Sequence, residues 1–221
     1  MLVRINPASR RPIDGHLAAL TGERAFCSEF KYRRGMEIFG EGEDAEYVYQ
    51  ITSGAVRTCK MLPDGRRHIN SFHLPGDMFG FENGATHRFN AEAIIETTVR
   101  ITRRRSVLDA MTSREKGAMN LIGFVTQNLQ HAENRMLLLG RKTSLEKVAA
   151  FLLEMDQRQD HPDMMILPMN RRDIGDYLGL TLETVSRALS ILRDQNLVRL
   201  GGATQRRVEL LDRDELARLD A

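Results

Sequence analysis

Three side chains near the C-terminus, Glu183, Ser186 and Arg187, have the chemistry and the spacing to read the edges of DNA bases. On a helix, residues three and four positions apart share one face. An arginine can donate two hydrogen bonds to guanine O6 and N7, a glutamate can accept one from cytosine N4, and a serine hydroxyl can bond a base or a phosphate. Without a special context the same residues would form an ordinary solvated helix face. The elements around them decide between the two interpretations.

The segment from Asn170 to Leu200 has the features of a helix-turn-helix. Gly175 is small where the two helices must approach, Gly179 suits the turn, and Thr181 is a good N-cap for the second helix. The inward positions of both helices are apolar: Ile174, Leu178, Val185, Leu189 and Leu192. Each feature is weak alone, but together they favour base reading, because the three residues fall in the first two turns of the second helix.

Two short strands follow the second helix and predict a wing. Leu197–Leu200 and Arg207–Leu210 flank a glycine-rich turn at Gly201, and Asp212 can cap a last short helix. Wing arginines can meet phosphates, although they can also be plain surface residues. The residues predicted to contact phosphates, in the wing and around the two helices, are Arg171, Thr181, Thr184, Arg206 and Arg207.

The N-terminal half, from Phe26 to about Arg104, reads as short β-strands separated by Gly, Asp and Pro. Leu62-Pro63-Asp64-Gly65 is a hairpin turn, since Pro presets φ and Asp-Gly tolerates positive φ. Several short strands at this spacing indicate a sandwich or barrel.

A long helix is predicted between these two regions. Its apolar positions step by 4, 3, 4, 3, 4 and 3 along Ala118, Ile122, Val125, Leu129, Ala132, Met136 and Leu139. Such a seam with polar surroundings favours pairing with a second copy of the helix, whereas a helix packed on its own domain would bury a wider stripe. The predicted divisions are therefore a β domain at 1–105, a dimerisation helix at 106–140 and a DNA-binding domain at 141–221.

Composition excludes several classes of protein. The net charge of +2 argues neither for nor against DNA binding, and two cysteines, Cys27 and Cys59, supply no disulfide framework or zinc ribbon. The first residues lack a signal peptide, and no apolar stretch is long enough to span a membrane. We expect a cytoplasmic protein with no catalytic residues, no metal and no membrane contact.

The whole pattern resembles the CRP/FNR family of bacterial transcription regulators over nearly the full length. The segment Leu178–Arg187, with its Glu-x-x-Ser-Arg pattern, resembles the FNR and FixK branch. The resemblance implies an α+β fold: a cyclic-nucleotide-binding-like β-roll (jelly roll), a long dimerisation helix and a C-terminal winged helix-turn-helix. It also implies a homodimer on palindromic double-stranded DNA with TTGAT-type half-sites, in partnership with RNA polymerase. Arg187 would then read the guanine, Glu183 the paired strand nearby and Ser186 a neighbouring base.

The residues by which the family binds effectors do not match well. The segment Gly76–Glu82 fits only part of the family's ribose-binding pattern. The arginine segment for a cyclic phosphate is absent from His87–Ala93, where Arg88 has no matching context and Glu92 would add a negative charge. Two cysteines cannot supply the four ligands of an iron–sulfur cluster. We therefore expect no cofactor and no small-molecule effector, as in the FixK type.

Two alternatives stay open. One is a regulator of the same family gated by redox or by a ligand: a cyclic nucleotide, haem held by a histidine such as His68, His73 or His87, or an organic acid. The other is a cupin-type metal enzyme, disfavoured because His68 and His73, five residues apart, should fall on opposite faces of a strand.

Overall fold

The structure is a computed structural model and describes residues 3–4, 27–112, 115–141 and 143–220. The chain forms two compact units, Met1–Leu129 and Gln130–Ala221, and the boundary between them falls inside one long helix.

The first unit contains two antiparallel sheets. One sheet has the strand order β1-β2-β9-β4-β7 and the other β3-β8-β5-β6. The strands are β1 (Val3–Arg4), β2 (Ser28–Tyr32), β3 (Glu37–Phe39), β4 (Tyr47–Ser53), β5 (Val56–Met61), β6 (Arg67–His73), β7 (Met78–Phe79), β8 (Asn90–Ala93) and β9 (Thr97–Arg103). The expected β-roll is thus confirmed. Its crossed strand order means that distant parts of the chain form each sheet.

The predicted hairpin turn lies between β5 and β6. The Gly65 amide donates to the Leu62 carbonyl at 2.9 Å, and Gly65 has φ of 81°, the left-handed conformation that favours glycine. The interior of the roll is apolar and rich in aromatic rings. Buried residues from both sheets form its core: Tyr32, Phe39, Tyr49, Ile51, Val56, Phe79, Ala91, Ala93 and Val99.

Two helices follow the roll. Helix α1 (Arg104–Thr112) begins directly after β9, and α2 (Glu115–Arg141) carries the predicted apolar seam. The span 106–140, predicted as one helix, therefore contains parts of two. With 27 residues, α2 is about 40 Å long at 1.5 Å per residue. It ends at Arg141, one residue beyond the predicted end at 140.

The second unit carries the winged helix-turn-helix. Its elements after α2 are α3 (Ser144–Arg158), β10 (Met165–Ile166), α4 (Arg171–Leu178), α5 (Leu182–Asp194), β11 (Val198–Gly201), β12 (Arg207–Leu210) and α6 (Arg213–Asp220). Strand β10 extends the wing to a three-stranded sheet of order β10-β12-β11 and was not predicted, because two residues are too short to give a periodic signal.

Helix α3 packs against both α5 and α6 and forms the core of this unit. Its N-cap is Thr143, whose hydroxyl accepts from the Glu146 amide while the Glu146 carboxylate accepts from the Thr143 amide. This reciprocal capping box satisfies two amides that the first turn leaves without a helical partner. The buried side of α3 includes Val148, Phe151, Leu152 and Met155.

Candidate nucleic-acid interface

The two helices of the helix-turn-helix have well-defined ends. Helix α4 begins after Asn170, which exchanges capping hydrogen bonds with Asp173, and it ends at Gly179 with φ of 66°. Helix α5 begins after Thr181, whose hydroxyl accepts from the Thr184 amide at 3.2 Å, as the sequence predicts. The short turn between Gly179 and Thr181 therefore sets where the second helix starts.

Gly175 lies at the tightest point of the motif. A Cβ atom at this position would lie 2.6 Å from the Leu180 carbonyl oxygen, which belongs to the backbone of the turn. The Gly175 carbonyl in turn accepts from the Leu180 amide at 2.9 Å. The motif needs a glycine here because α4 and the turn share this space.

The inward faces of α4 and α5 are buried as predicted. Ile174, Leu178, Val185, Leu189 and Leu192 are all buried, together with Tyr177 and Ala188. Opposite this core, Glu183 and Arg187 are exposed and Ser186 is half-buried. The fold thus brings the three predicted base-reading residues onto the outer side of the first two turns of α5.

The Glu183 carboxyl is set up to be an acceptor. Its own backbone amide, the Thr181 hydroxyl and the charge of Arg172 hold the pKa of Glu183 below its usual value. An ionised carboxylate offers only acceptor oxygens, which suits the N4 amino group of cytosine. Leu182, one residue earlier, is 37% exposed in the same turn and can contact a thymine methyl group. Sequence reasoning missed Leu182 because an apolar residue in an amphipathic helix is assigned to the core.

The residues predicted to contact phosphates have different surroundings. Thr181 and Thr184 share a hydrogen bond between their hydroxyls at 3.0 Å. The Arg206 guanidinium donates to the Pro168 carbonyl at 3.2 Å, whereas Arg207 is exposed in β12 opposite Gly201. Arg207 is therefore more available to a ligand than Arg206.

Arg171 links three parts of the motif. From the first position of α4, it donates to the Ser186 hydroxyl on α5 at 3.1 Å and to the Gln205 side chain in the wing turn. Gln205 has φ of 50°, next to the wing glycines. Sequence reasoning missed Gln205, since nothing local indicates that a wing residue meets the first helix.

The C-terminal part of α2 is tied to α4 by an aromatic contact. The Arg135 guanidinium lies 4.5 Å from the centre of the Tyr177 ring, and the Tyr177 hydroxyl donates to Glu154 on α3 at 3.3 Å. Burial raises the pKa of Tyr177, so the phenol stays protonated and a donor. Through Tyr177 the long helix and α3 both fix the orientation of α4.

The apolar seam of α2 is largely uncovered in a single chain. Ile122, Val125, Leu129 and Met136 are 55–67% exposed, Ala132 is exposed and Leu139 is half-buried. The side chain of Ala118 lies outside the described residues. Met119 and Leu137, which the seam prediction does not include, are also more than 60% exposed.

The roll interior is filled by stacked rings. His87 is 2% exposed and stacks on Phe39 with ring centres 3.6 Å apart, while Tyr49 stacks on Phe79 at 5.1 Å. Burial lowers the pKa of His87, so the ring is neutral near pH 7.

The charged residues around Arg88 and Glu92 form ion pairs. Arg88 donates to Glu82 at 2.8 Å, and Arg57 donates to Glu92 at 2.8 Å. Both guanidinium groups are therefore engaged by carboxylates. Cys59 is buried and Cys27 half-buried in the described part of this unit.

His68 and His73 lie on the same face of β6, so the prediction that they fall on opposite faces is wrong. Strand β6 has a bulge at Asn70, so that Thr58 faces Ser71 and Cys59 faces Ile69. His68 then pairs with Lys60 and His73 with Val56, four residues apart on β5, which places both histidines on the same face. The two remain about 13 Å apart along the strand at 3.3 Å per residue. Among the residues described, no three His, Cys, Asp or Glu side chains form a group that could hold a metal ion.

A wing beside an exposed recognition helix, preceded by a roll and a long helix, defines a DNA-binding transcription regulator of the class that carries a sensor-like domain. Residues 29–114 match the model of the cyclic nucleotide-binding domain, and residues 146–219 match the Crp-like helix-turn-helix domain.

Similar proteins identify the branch. The chain is 44% identical to the nitrogen fixation regulation protein FixK of Rhizobium meliloti, over 84% of this chain and 83% of that protein. It is 46% identical to FixK of Azorhizobium caulinodans, over 86% of this chain and 78% of that protein. The structure of FixK2 from Bradyrhizobium japonicum superposes with a TM-score of 0.83 at 56% identity, covering 88% of this chain and 98% of the other. The chain belongs to the CRP/FNR family of transcription regulators, in its FixK-like branch.

None of the helices in the described part of the chain has the length and apolar character that a membrane span requires.

Proposed function

We propose that this regulator binds palindromic operators with TTGAT-type arms as a homodimer and activates transcription through RNA polymerase. The observation that carries the operator proposal is the outer face of α5, where Glu183 and Arg187 are exposed beside Ser186. Arg187 reads the guanine with two donated hydrogen bonds, and ionised Glu183 accepts from cytosine N4 on the paired strand. Arg171, Thr181, Thr184, Arg206 and Arg207 contact phosphates and set the register on the duplex.

The homodimer is supported by the seam of α2. An apolar stripe that repeats in heptads and stays exposed in a single chain has the chemistry to pair with an identical stripe. A two-fold dimer presents two identical recognition helices to successive major grooves, which is why a palindromic site is expected. The partner is therefore a second copy of this chain.

We also propose that the protein is active without a small-molecule effector. The stacked rings of Phe39, His87, Tyr49 and Phe79 fill the roll, and the Arg57–Glu92 and Arg88–Glu82 pairs engage the arginines that a phosphate would need. Control over its amount is then the simplest way to regulate its activity. The relatives named for nitrogen fixation make the promoters of such genes the first to test.

Selection of binding sites from random DNA with the purified full-length chain tests the operator proposal. We expect an inverted repeat with TTGAT-like arms whose centres are about one helical turn apart. Asymmetric sites, or a repeat with unrelated arms, would overturn it.

The effector proposal has a separate test. Protein purified and dialysed exhaustively should bind the selected operator with the same affinity as protein supplemented with cyclic nucleotides, haem or organic acids. A gain of tenfold or more with one of these ligands, or a ligand that co-purifies in the roll, would contradict it.

A further inference from the structure

Arg171 has a position that a simple phosphate contact does not require. It is the first residue of α4, yet its guanidinium lies 3.1 Å from the Ser186 hydroxyl oxygen on α5 and bonds the Gln205 side chain in the wing turn. One planar group thus joins the first helix, the recognition helix and the wing. A guanidinium has five N–H donors in a fixed fork, so two contacts of this kind restrict its orientation strongly.

The hydrogen bond between Arg171 and Ser186 can be donated only by Arg171. A guanidinium donates and cannot accept, so the Ser186 oxygen is the acceptor. The hydroxyl proton of Ser186 is then left for another partner. Ser190 donates to the Ser186 carbonyl at 3.0 Å and does not use the hydroxyl. Over the described ranges the structure shows no hydrogen bond donated by the Ser186 hydroxyl.

We propose that Arg171 is a positioning residue that converts Ser186 from an ambiguous hydroxyl into a hydrogen-bond donor toward one base. This inference rests on the proposed function, since it assumes that α5 reads an operator. A lone serine can donate or accept and discriminates poorly between bases. Because the Ser186 oxygen already accepts from Arg171, the hydroxyl donates to a base acceptor more readily than it accepts from a base amino group.

A donating Ser186 hydroxyl requires a base that presents an acceptor. In the major groove, guanine, adenine and thymine each present an acceptor, whereas cytosine presents only its N4 amino group. Cytosine is therefore the least tolerated base at the Ser186 position. The discrimination depends on Arg171 even though Arg171 does not touch that base.

A phosphate contact alone predicts different behaviour. An arginine that only neutralises a phosphate contributes equally on every sequence, and its loss lowers the salt dependence of binding by about one unit of slope. Arg171→Lys separates the two roles, because lysine keeps the charge but loses the fork that holds Ser186 and Gln205 together.

The experiment measures operator affinity by fluorescence anisotropy for the full-length chain. The operator is the selected site, and each half-site position is replaced in turn by the other three bases. Ser186→Ala first identifies the position that Ser186 reads. We expect wild type to disfavour cytosine there by about fivefold per half-site, as one hydrogen bond contributes. Ser186→Ala, Arg171→Lys and the double variant should all lose this preference to the same extent, with an unchanged salt slope in Arg171→Lys.

Two further variants keep the test decisive. Gln205→Ala removes the other anchor of Arg171 from an exposed wing position, and it should weaken the cytosine preference in the same direction. Arg207→Ala is the matched control, since it removes a wing arginine from β12, and its effect should be uniform over sequences and additive with Ser186→Ala.

The proposal is overturned if Arg171→Lys and Ser186→Ala are additive, if Arg171→Lys weakens all operators equally, or if cytosine is preferred at the Ser186 position. A wild-type chain that selects no palindromic site would refute the proposed function itself. A wild-type chain that selects one, with additive variants, would refute only the role of Arg171.

Discussion

The contact at Gly175 allows the sharpest test of the helix-turn-helix geometry. In an open helix, replacing glycine by alanine stabilises the protein by about 1 kcal/mol, because alanine has the higher helix propensity. At Gly175 the new methyl carbon would lie 2.6 Å from the Leu180 carbonyl oxygen and 3.4 Å from the carbonyl carbons of Leu180 and Thr181. These are backbone atoms, so no side chain can rotate away.

The magnitude follows from that distance. Ordinary van der Waals contact begins at 3.4 Å, so the turn must retreat by about 0.8 Å. Overpacking of this kind costs about 1–3 kcal/mol, which exceeds the gain in helix propensity. We expect Gly175→Ala to destabilise the DNA-binding unit by about 1–2 kcal/mol. Operator affinity should fall by at least about tenfold, because the retreat displaces α5 and hydrogen bonds to bases depend steeply on geometry.

Gly140→Ala is the matched control. Gly140 also lies in a helix, but a Cβ there would meet nothing within 4 Å. The same substitution should therefore stabilise the chain slightly or leave it unchanged. Urea unfolding followed by far-UV circular dichroism suits this chain, which has no tryptophan, and midpoints are the quantity to compare because two units need not unfold together. If Gly175→Ala is as stable as Gly140→Ala and binds the operator normally, the close approach at the turn does not constrain the motif.

Three further predictions concern base reading, dimerisation and acid stability. Arg187→Ala should lose roughly 1–3 kcal/mol of discrimination at the guanine in each half-site, measured by competition with a substituted operator, and an equal loss on every sequence would make Arg187 a phosphate contact instead. Leu129→Glu should give monomers in light scattering and abolish operator binding, and a monomer with full affinity would refute the seam. Asp156→Asn should cost about 1–3 kcal/mol in urea unfolding, since this buried carboxylate accepts two hydrogen bonds from Arg213, whereas Asp194→Asn on the surface should change stability by less than about 0.5 kcal/mol. The hydrogen bonds from Arg213 hold the pKa of Asp156 below its usual value. The contribution of Asp156 to the free energy of unfolding is therefore complete above about pH 4 and is lost as the pH falls through the lowered pKa of the folded state. The stabilities of wild type and Asp156→Asn should converge in acid, and a constant difference would contradict the pairing.

The order of elements could be predicted from the sequence because their signals are local. Caps such as Thr181 and Asp212, the positive-φ glycines at Gly65 and Gly179, and the 3.6-residue period of buried apolar positions all depend on neighbouring residues. A helix boundary can shift by one residue where two adjacent residues can both cap: Thr143 and Ser144 are both suitable, and Thr143 is the cap of α3.

Contacts between distant segments could not be predicted in the same way. The bulge at Asn70 reverses the alternation of β6, and it moves His68 and His73 to one face although their sequence spacing suggests two. The pairing of Asp156 with Arg213 joins residues 57 positions apart, and the bond between Arg171 and Gln205 joins residues 34 apart. No local pattern encodes these partners.

The base-reading face of α5 combines features that local sequence determines with one that depends on tertiary contacts. The sequence alone determined that Glu183, Ser186 and Arg187 share a helix face at the start of a recognition helix, because helical periodicity and capping depend only on nearby residues. The contact of Arg171 with the Ser186 hydroxyl, in contrast, depends on the tertiary structure. It joins groups that folding brings together from positions 15 residues apart, and a hydrogen bond acts over a few ångströms of space whatever the distance along the chain.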